Sequence, residues 1–364
     1  MKKVGVNDIT ANQFMYILIG TMIGTGVLSL PNNMAKGAKQ DGWISVIIAL
    51  WYPLYVVILG IYISKKYPNE DILKVNKKCF GNFIGSLLSL LFTLQFLIGL
   101  LSVSAGFSNV SRVYIVDFLT PSKIISVILI LGLYGTFQGL KVVGRISEVS
   151  YYFLIALLFV PLIVLRDGSV LNISPVFGSG IKKIVQTSNN AIFAYSGIEI
   201  IFLIYPYVTE KKEIAKRAVT GVLVTAAIYT YVTFMTIFYM GPDAILQAFW
   251  SVMVINETVN LPFINSFRFI FMFFWSLMIF KTIVNQYYSF TYGLSNSTFK
   301  FRVQKVCFFI YPFLLVLTIK YGNEISRRNL LEKLNPIIIC FNLIYLTLLG
   351  IIVHFKKVNK NEIS

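Results

Sequence analysis

Acidic side chains are scarce in this sequence. Aspartate and glutamate supply 15 of its 364 residues against 32 lysines and arginines, and all charged residues together reach only 13%. A water-facing globular surface draws on about 25% charged residues, so a soluble globular protein is excluded. There is one histidine, His354, and there are three cysteines, Cys79, Cys307 and Cys340. Their number and spacing give neither a disulfide framework nor a metal site, which needs several converging ligands. The longest stretches between apolar runs, 65–82, 166–186 and 241–261, are too short to bury a core of their own. A Walker loop, a zincin helix and a nucleophile elbow are all missing, so the sequence offers no enzyme, no catalytic residue and no cofactor site.

What the chain has instead is hydrophobic length. Hydrophobic residues make up 57% of it, and the mean hydropathy is +0.75. Ten apolar segments approach the ~20 residues a helix needs to cross ~30 Å of hydrocarbon. They run over 12–30, 43–64, 83–108, 123–140, 146–165, 187–207, 217–240, 262–290, 302–320 and 335–354. The runs are continuous, without the alternation of barrel strands. The expected fold is therefore an all-α integral membrane protein of ten transmembrane helices, a single domain over 1–364. Charge sets its orientation. With the N-terminus inside, cytoplasmic segments hold 19 lysines and arginines and external loops hold 11, while Arg268 and Lys281 lie within the eighth segment. That bias places both termini in the cytoplasm. It also assigns the net charge of +17 to topology and anionic lipid, not to nucleic acid.

Two segments are interrupted. Gly20-Thr21-Met22-Ile23-Gly24-Thr25-Gly26 sits within the first, and Tyr195-Ser196-Gly197 within the sixth, followed by Glu199. Each glycine weakens a helix by ~1 kcal/mol relative to alanine, and unwound backbone in hydrocarbon has no water to bond. Five segments precede residue 170 and five follow, the arithmetic of an inverted repeat spanning about 10–165 and 187–354, with one break in the first helix of each half. Paired breaks of this kind point to a transporter-type binding site. Gly20 and Gly24 alone also suit close helix packing. Unwinding frees amides at one half-helix end, which favour a carboxylate, and carbonyls at the other, which favour a cation. An α-amino acid presents both groups, and another small polar solute fits the same logic.

Several polar residues lie at membrane depth. Glu199 cannot snorkel out, which leaves a protonated acid bonded to a neighbouring helix or a substrate and proton partner. Lys281 and Arg268 bracket the apolar run Phe269–Phe280 and can snorkel to opposite faces. Thr282, Asn285 and Gln286 continue from Lys281 as a polar stripe, which suits a protein-facing ammonium that replaces a cation or carries a proton. Gln95 is a lone amide in an apolar stretch, suited to an interhelical hydrogen bond.

The run Gly20–Pro31, the Asp41-Gly42-Trp43 triplet, Ser196-Gly197-Ile198-Glu199 and the loop Ser174–Gly180 resemble the spore germination permease family. This family forms the B subunit of nutrient germinant receptors, within the amino acid–polyamine–organocation superfamily. The resemblance implies a leucine-transporter fold with broken helices one and six. It implies a central site for a small germinant such as an amino acid, built from Thr21, Gly24, Thr25 and Gly26, from Tyr195, Ser196, Gly197 and Glu199, and from Gln95 on the third helix. It further implies an ion or proton site at Lys281, Thr282 and Gln286, where sodium-coupled relatives hold an ion. The implied partners are an A-type membrane subunit and a C-type lipoprotein in the spore inner membrane. The alternative function is a proton-coupled amino acid permease.

Overall fold

Among the described residues the chain is helical throughout, and its one β-type contact is the bridge between Ile9 and Val208. The structure is a computed structural model describing residues 7–259, 267–299 and 301–356. The expected start of the eighth segment at 262, and Lys2, Lys3, Lys300, Lys357 and Lys360 of the charge count, lie outside them. In chain order the helices are α1 (Ala11–Met22), α2 (Leu30–Ala38), α3 (Gly42–Ile48), α4 (Trp51–Lys66), α5 (Ile72–Phe80), α6 (Asn82–Tyr114), α7 (Pro121–Phe137) and α8 (Leu140–Leu158). They continue as α9 (Val160–Ile163), α10 (Ile181–Ile192), α11 (Ile201–Ile204), α12 (Ile214–Met240), α13 (Ser251–Thr258), α14 (Phe267–Leu294), α15 (Val303–Lys320) and α16 (Glu324–Phe355).

Helix starts follow local chemistry. The Thr10 hydroxyl accepts from Gln13 N–H at 3.1 Å while the Gln13 side chain accepts from Thr10 N–H at 3.2 Å, a reciprocal cap that opens α1. Asp71 caps α5 through Lys74 N–H at 3.0 Å, and Asn323 caps α16 through Ser326 N–H at 2.9 Å. Among the described residues, seven helical stretches are long and apolar enough to cross a membrane, and the pair 181–195 and 198–207, bent by 46°, makes an eighth when taken as one span. The 17-residue α7 is apolar but shorter. Two stretches read as loops contain helices. In 65–82, the capped, amphipathic α5 is only 9 residues long, below the length at which an apolar period stands out. In 241–261, the 8-residue α13 is hidden the same way.

Helix α14 is the central post, packed by α6, α7, α8 and α1. Gly132 and Gly135 of α7 allow the approach, since a Cβ there would lie 2.7 Å from Ile283 and 2.8 Å from Val284. Down α14 runs a buried polar row, Lys281, Thr282, Asn285, Gln286 and Ser289. It is enclosed by protein and does not face the lipid.

Two of the sequence signatures meet in space. Asp41 is fully buried, and its carboxylate accepts from Phe177 N–H at 2.8 Å, Ser179 N–H at 2.9 Å and the Ser179 hydroxyl at 2.7 Å. The turn after α2 thus grips the loop that launches α10 through Gly180, whose φ of +86° suits glycine. At the opposite end of the bundle, Ile9 N–H donates to Tyr207 O and Thr209 N–H to Ile9 O, both at 3.0 Å. There Ala11 N–H reaches Glu210 at 2.7 Å, the hydroxyls of Tyr207 and Tyr292 meet at 2.8 Å, and Tyr292 donates to Asp71. The end carrying the start of the chain is stitched shut.

Asp41→Asn replaces one carboxylate oxygen with an NH2 group that faces another donor. It is expected to cost about 2 kcal/mol, within the range for a mismatched buried hydrogen bond. The thermal midpoint of the purified protein should fall by several degrees, and an unchanged midpoint would contradict the anchoring role.

Candidate functional site

The first helix stops where the glycines require it to. After Met22 the backbone is extended at Ile23 (φ −81°, ψ 98°) and Gly24 (φ −124°, ψ −153°), and a 3-10 turn, Thr25–Leu28, leads into α2. Three of the carbonyls released by this break, those of Gly20, Met22 and Ile23, are met by side chains. Lys281 Nζ donates to Gly20 O and Ile23 O at 3.2 Å each, and the Thr282 hydroxyl lies 3.0 and 2.8 Å from the same two oxygens. The Tyr229 hydroxyl lies 2.8 Å from Met22 O and 2.9 Å from Ala194 O, bridging the two breaks. Lys281 is only 1% exposed, so it does not snorkel. Arg268, in contrast, sits half-exposed in an ion pair with Glu257 at 3.0 Å.

The other electrical pole of the break is left open. The 3-10 turn begins at Gly24 with no side-chain cap, and the first N–H groups of a helix have no acceptor within it. Gly26 faces empty space, with nothing within 4 Å of an added Cβ.

The second break follows α10. A 3-10 turn, Phe193–Tyr195, is succeeded by extended Ser196 and left-handed Gly197, φ +107°. A Cβ on Gly197 would lie 2.8 Å from Thr21 O, so glycine is required twice, by conformation and by the close approach of the two breaks. Here the freed amide is capped internally, as Gly197 N–H donates to Glu199 Oε2 at 2.8 Å. Glu199 Oε1 accepts from Tyr52 and, at 3.0 Å, from Asn342 Nδ2. Asn342 Nδ2 also lies 2.9 Å from Gln95 Oε1.

Between the breaks lies a cavity of about 700 Å³, within the size range of small-molecule sites. Of the residues expected in a site, Thr21, Gly24, Thr25, Gly26, Gln95, Ser196, Gly197 and Gln286 line it together. Four do not. Glu199 faces α4 and α16 and does not line the cavity, which it meets through Gly197 and through Asn342 and Gln95. Tyr195 points away, its hydroxyl donating to Val46 O at 3.1 Å. Lys281 and Thr282 lie behind the first break, on its carbonyls. Gln286, grouped with them by its helix position, belongs instead to the cavity wall.

Sequence reasoning missed Arg327, Asn342, Tyr52 and Tyr229. Arg327 falls between the ninth and tenth apolar segments of the sequence, but α16 starts at Glu324, and the Arg327 guanidinium is buried against Ser102 at 3.0 Å and Glu324 at 2.9 and 2.5 Å. With Lys36 and Arg328 it makes the cavity mouth net basic, against Glu332 and Glu324. Asn342 carries the same signal as Gln95, an amide at membrane depth, and was legible on that ground. The two tyrosines look like any other aromatic of an apolar helix.

Compared with known proteins, residues 8–327 match a family model described as "Spore germination protein". The chain is 27% identical over 330 residues to spore germination protein YndE of Bacillus subtilis (strain 168), covering 87% of this chain and 88% of that one. It is 24% identical over 333 residues to spore germination protein GerQB of Bacillus cereus, covering 90% and 92%. The crystal structure of MhsT in complex with L-phenylalanine matches with a TM-score of 0.67 over 96% of this chain and 89% of that chain, at 13% identity, a likeness of fold.

Tyr229→Phe removes one hydroxyl and leaves Met22 O and Ala194 O without their donor. Unpaired buried carbonyls cost about 1–3 kcal/mol, so the thermal midpoint should drop with the ring packing intact. A midpoint equal to that of the parent protein would show that the bridge does not hold the breaks together.

Proposed function

This chain belongs to the spore germination protein family, and we propose that it is the membrane subunit of a spore nutrient germinant receptor that binds a small germinant, an amino acid by the chemistry of its cavity. The observation that carries this reading is the asymmetry of the first break: its carbonyls are occupied by Lys281, Thr282 and Tyr229, while the amides from Gly24 to Gly26 start an uncapped turn at the cavity wall. Such amides favour a carboxylate, and the basic mouth attracts the same charge. The ammonium of Lys281 occupies the position where a coupling cation would neutralise the carbonyls, a fixed substitute for an ion.

The chain is a multi-pass membrane protein with the all-helical fold of transporters, and neither its family nor its fold is that of an enzyme. On the proposed reading it has ten spans, counting α7 and the broken first helix, arranged as inverted repeats over 10–165 and 187–354, with both termini cytoplasmic in the spore inner membrane. The sealed end then faces the cytoplasm and the basic mouth faces outward. Relatives named for spore germination, B2 and A2 of Bacillus subtilis among them, support assembly with an A-type membrane subunit and a C-type lipoprotein. A germinant bound between the breaks acts by its difference in affinity for the open and closed arrangements.

The transporter fold and the one-sided opening of the cavity favour a second reading, a proton-coupled amino acid permease, which differs in its output. Accumulation of labelled amino acid in proteoliposomes would select it.

Gly26→Leu tests the site. A Cβ at Gly26 meets nothing and its φ is ordinary, so the variant should fold with an unchanged thermal midpoint while its side chain fills the space beside the amides. Stabilisation by amino acids, screened one at a time, should fall at least tenfold in apparent affinity. Undiminished stabilisation would remove the cavity from the account.

A further inference from the structure

Three elements converge on Gly106 of α6. A Cβ there would lie 3.0 Å from the Thr25 hydroxyl oxygen, 3.2 Å from Cζ of Arg327 and 3.3 Å from its Nε. The hydroxyl of the first break and the guanidinium of α16 therefore lie within about 6 Å of each other. A carboxylate spans that gap with a hydrogen bond of ordinary length, about 2.9 Å, on each side. Thr25 and Arg327 both line the cavity, and so does Ser102, one turn before Gly106 on α6.

Arg327 is only 4% exposed, yet its hydrogen bonding is incomplete. A guanidinium has two N–H groups on each terminal nitrogen and one on Nε. Here Nε and Nη2 each donate to Glu324, at 2.9 and 2.5 Å, and Nη1 donates to Ser102 at 3.0 Å. One N–H on each terminal nitrogen is left over among the described residues. The charge is unbalanced as well. Arg328 Nε donates to the same Glu324 Oε1 at 2.7 Å, so two arginines share one carboxylate. Glu332, the acid on the cavity wall, pairs with neither among the described residues, and Lys36 on the same wall adds to the surplus. A buried cation in excess of its partners is costly unless an anion joins it.

We propose that Arg327 is a ligand-binding residue that, with the Thr25 hydroxyl, holds the carboxylate of the bound amino acid. The proposal rests on the amino acid reading of the cavity and adds a charged side chain from α16 to the group that the first break receives. Guanidinium–carboxylate bonds are roughly twice as strong as neutral ones, and a carboxylate in this place ties the first break to the first turn of α16.

The test compares the common L-amino acids with their methyl esters, as apparent affinities read from thermal stabilisation of the purified protein. For any amino acid that binds, Arg327→Gln should weaken the acid tenfold or more and change the ester less than threefold. A purely structural role for Arg327 would weaken both alike. Arg327→Lys keeps a positive charge beside Glu324 but loses the planar fork, and it serves if Arg327→Gln does not fold. It should weaken the acid at least threefold and leave the ester unchanged. Equal losses for acid and ester, or no loss for the acid in either variant, would overturn the proposal while keeping the amino acid reading. Failure of every amino acid to stabilise the parent protein would overturn both.

Discussion

Backbone that leaves a helix inside a membrane must find its hydrogen bonds within the protein, because hydrocarbon offers none. This constraint organises the molecule. Two breaks at matching depth release carbonyls and amides that several side chains from other helices then collect. Lys281 and Thr282 come from α14 and Tyr229 from α12, while Glu199 closes the second break on itself. This accounting leaves the start of the turn at Gly24 without a side-chain cap, and Gly24, Thr25 and Gly26 line the cavity.

The same bonds tie the breaks to the rest of the bundle. Glu199 is held by Tyr52 on α4 and Asn342 on α16, and Asn342 reaches Gln95 on α6 at the cavity wall. A buried carboxyl group is tolerated because each oxygen has a hydrogen-bond partner, and removing one partner would leave a buried polar group uncompensated. Asp41 performs a similar service outside the breaks, joining the turn after α2 to the loop before α10. The second break is thereby tied to α4, α6 and α16, and the first to α12 and α14. That gives a bound solute a physical route to change the shape of the whole subunit, whether the output is a signal or transport.

Much of this was legible in the sequence, for identifiable reasons. Hydrophobic length gave the all-helical membrane class, and glycines at impossible depths marked both breaks. The polar stripe after Lys281 correctly indicated a protein-facing side. Its members divide, however: Lys281 and Thr282 serve the backbone while Gln286 serves the cavity, a distinction set by a turn of helix that one-dimensional spacing does not resolve. Glu199 was readable as important, but its anchoring was not, because Tyr52 and Asn342, which hold its other oxygen, lie 147 and 143 residues away. Arg327 was hidden by its neighbours, a basic and polar stretch that looks like a loop until α16 is seen to begin at Glu324.

The account stands on recognition of a negative group by the open amides of the first break. The direct measurement is titration of the purified protein with matched pairs of L-amino acids and their methyl esters, in which the negative carboxylate becomes a neutral ester. Loss of tenfold or more in affinity on esterification, for any amino acid that binds, is the predicted result. An ester that binds as tightly as its parent acid would show that the amides at Gly24–Gly26 do not hold a carboxylate and would contradict the assignment.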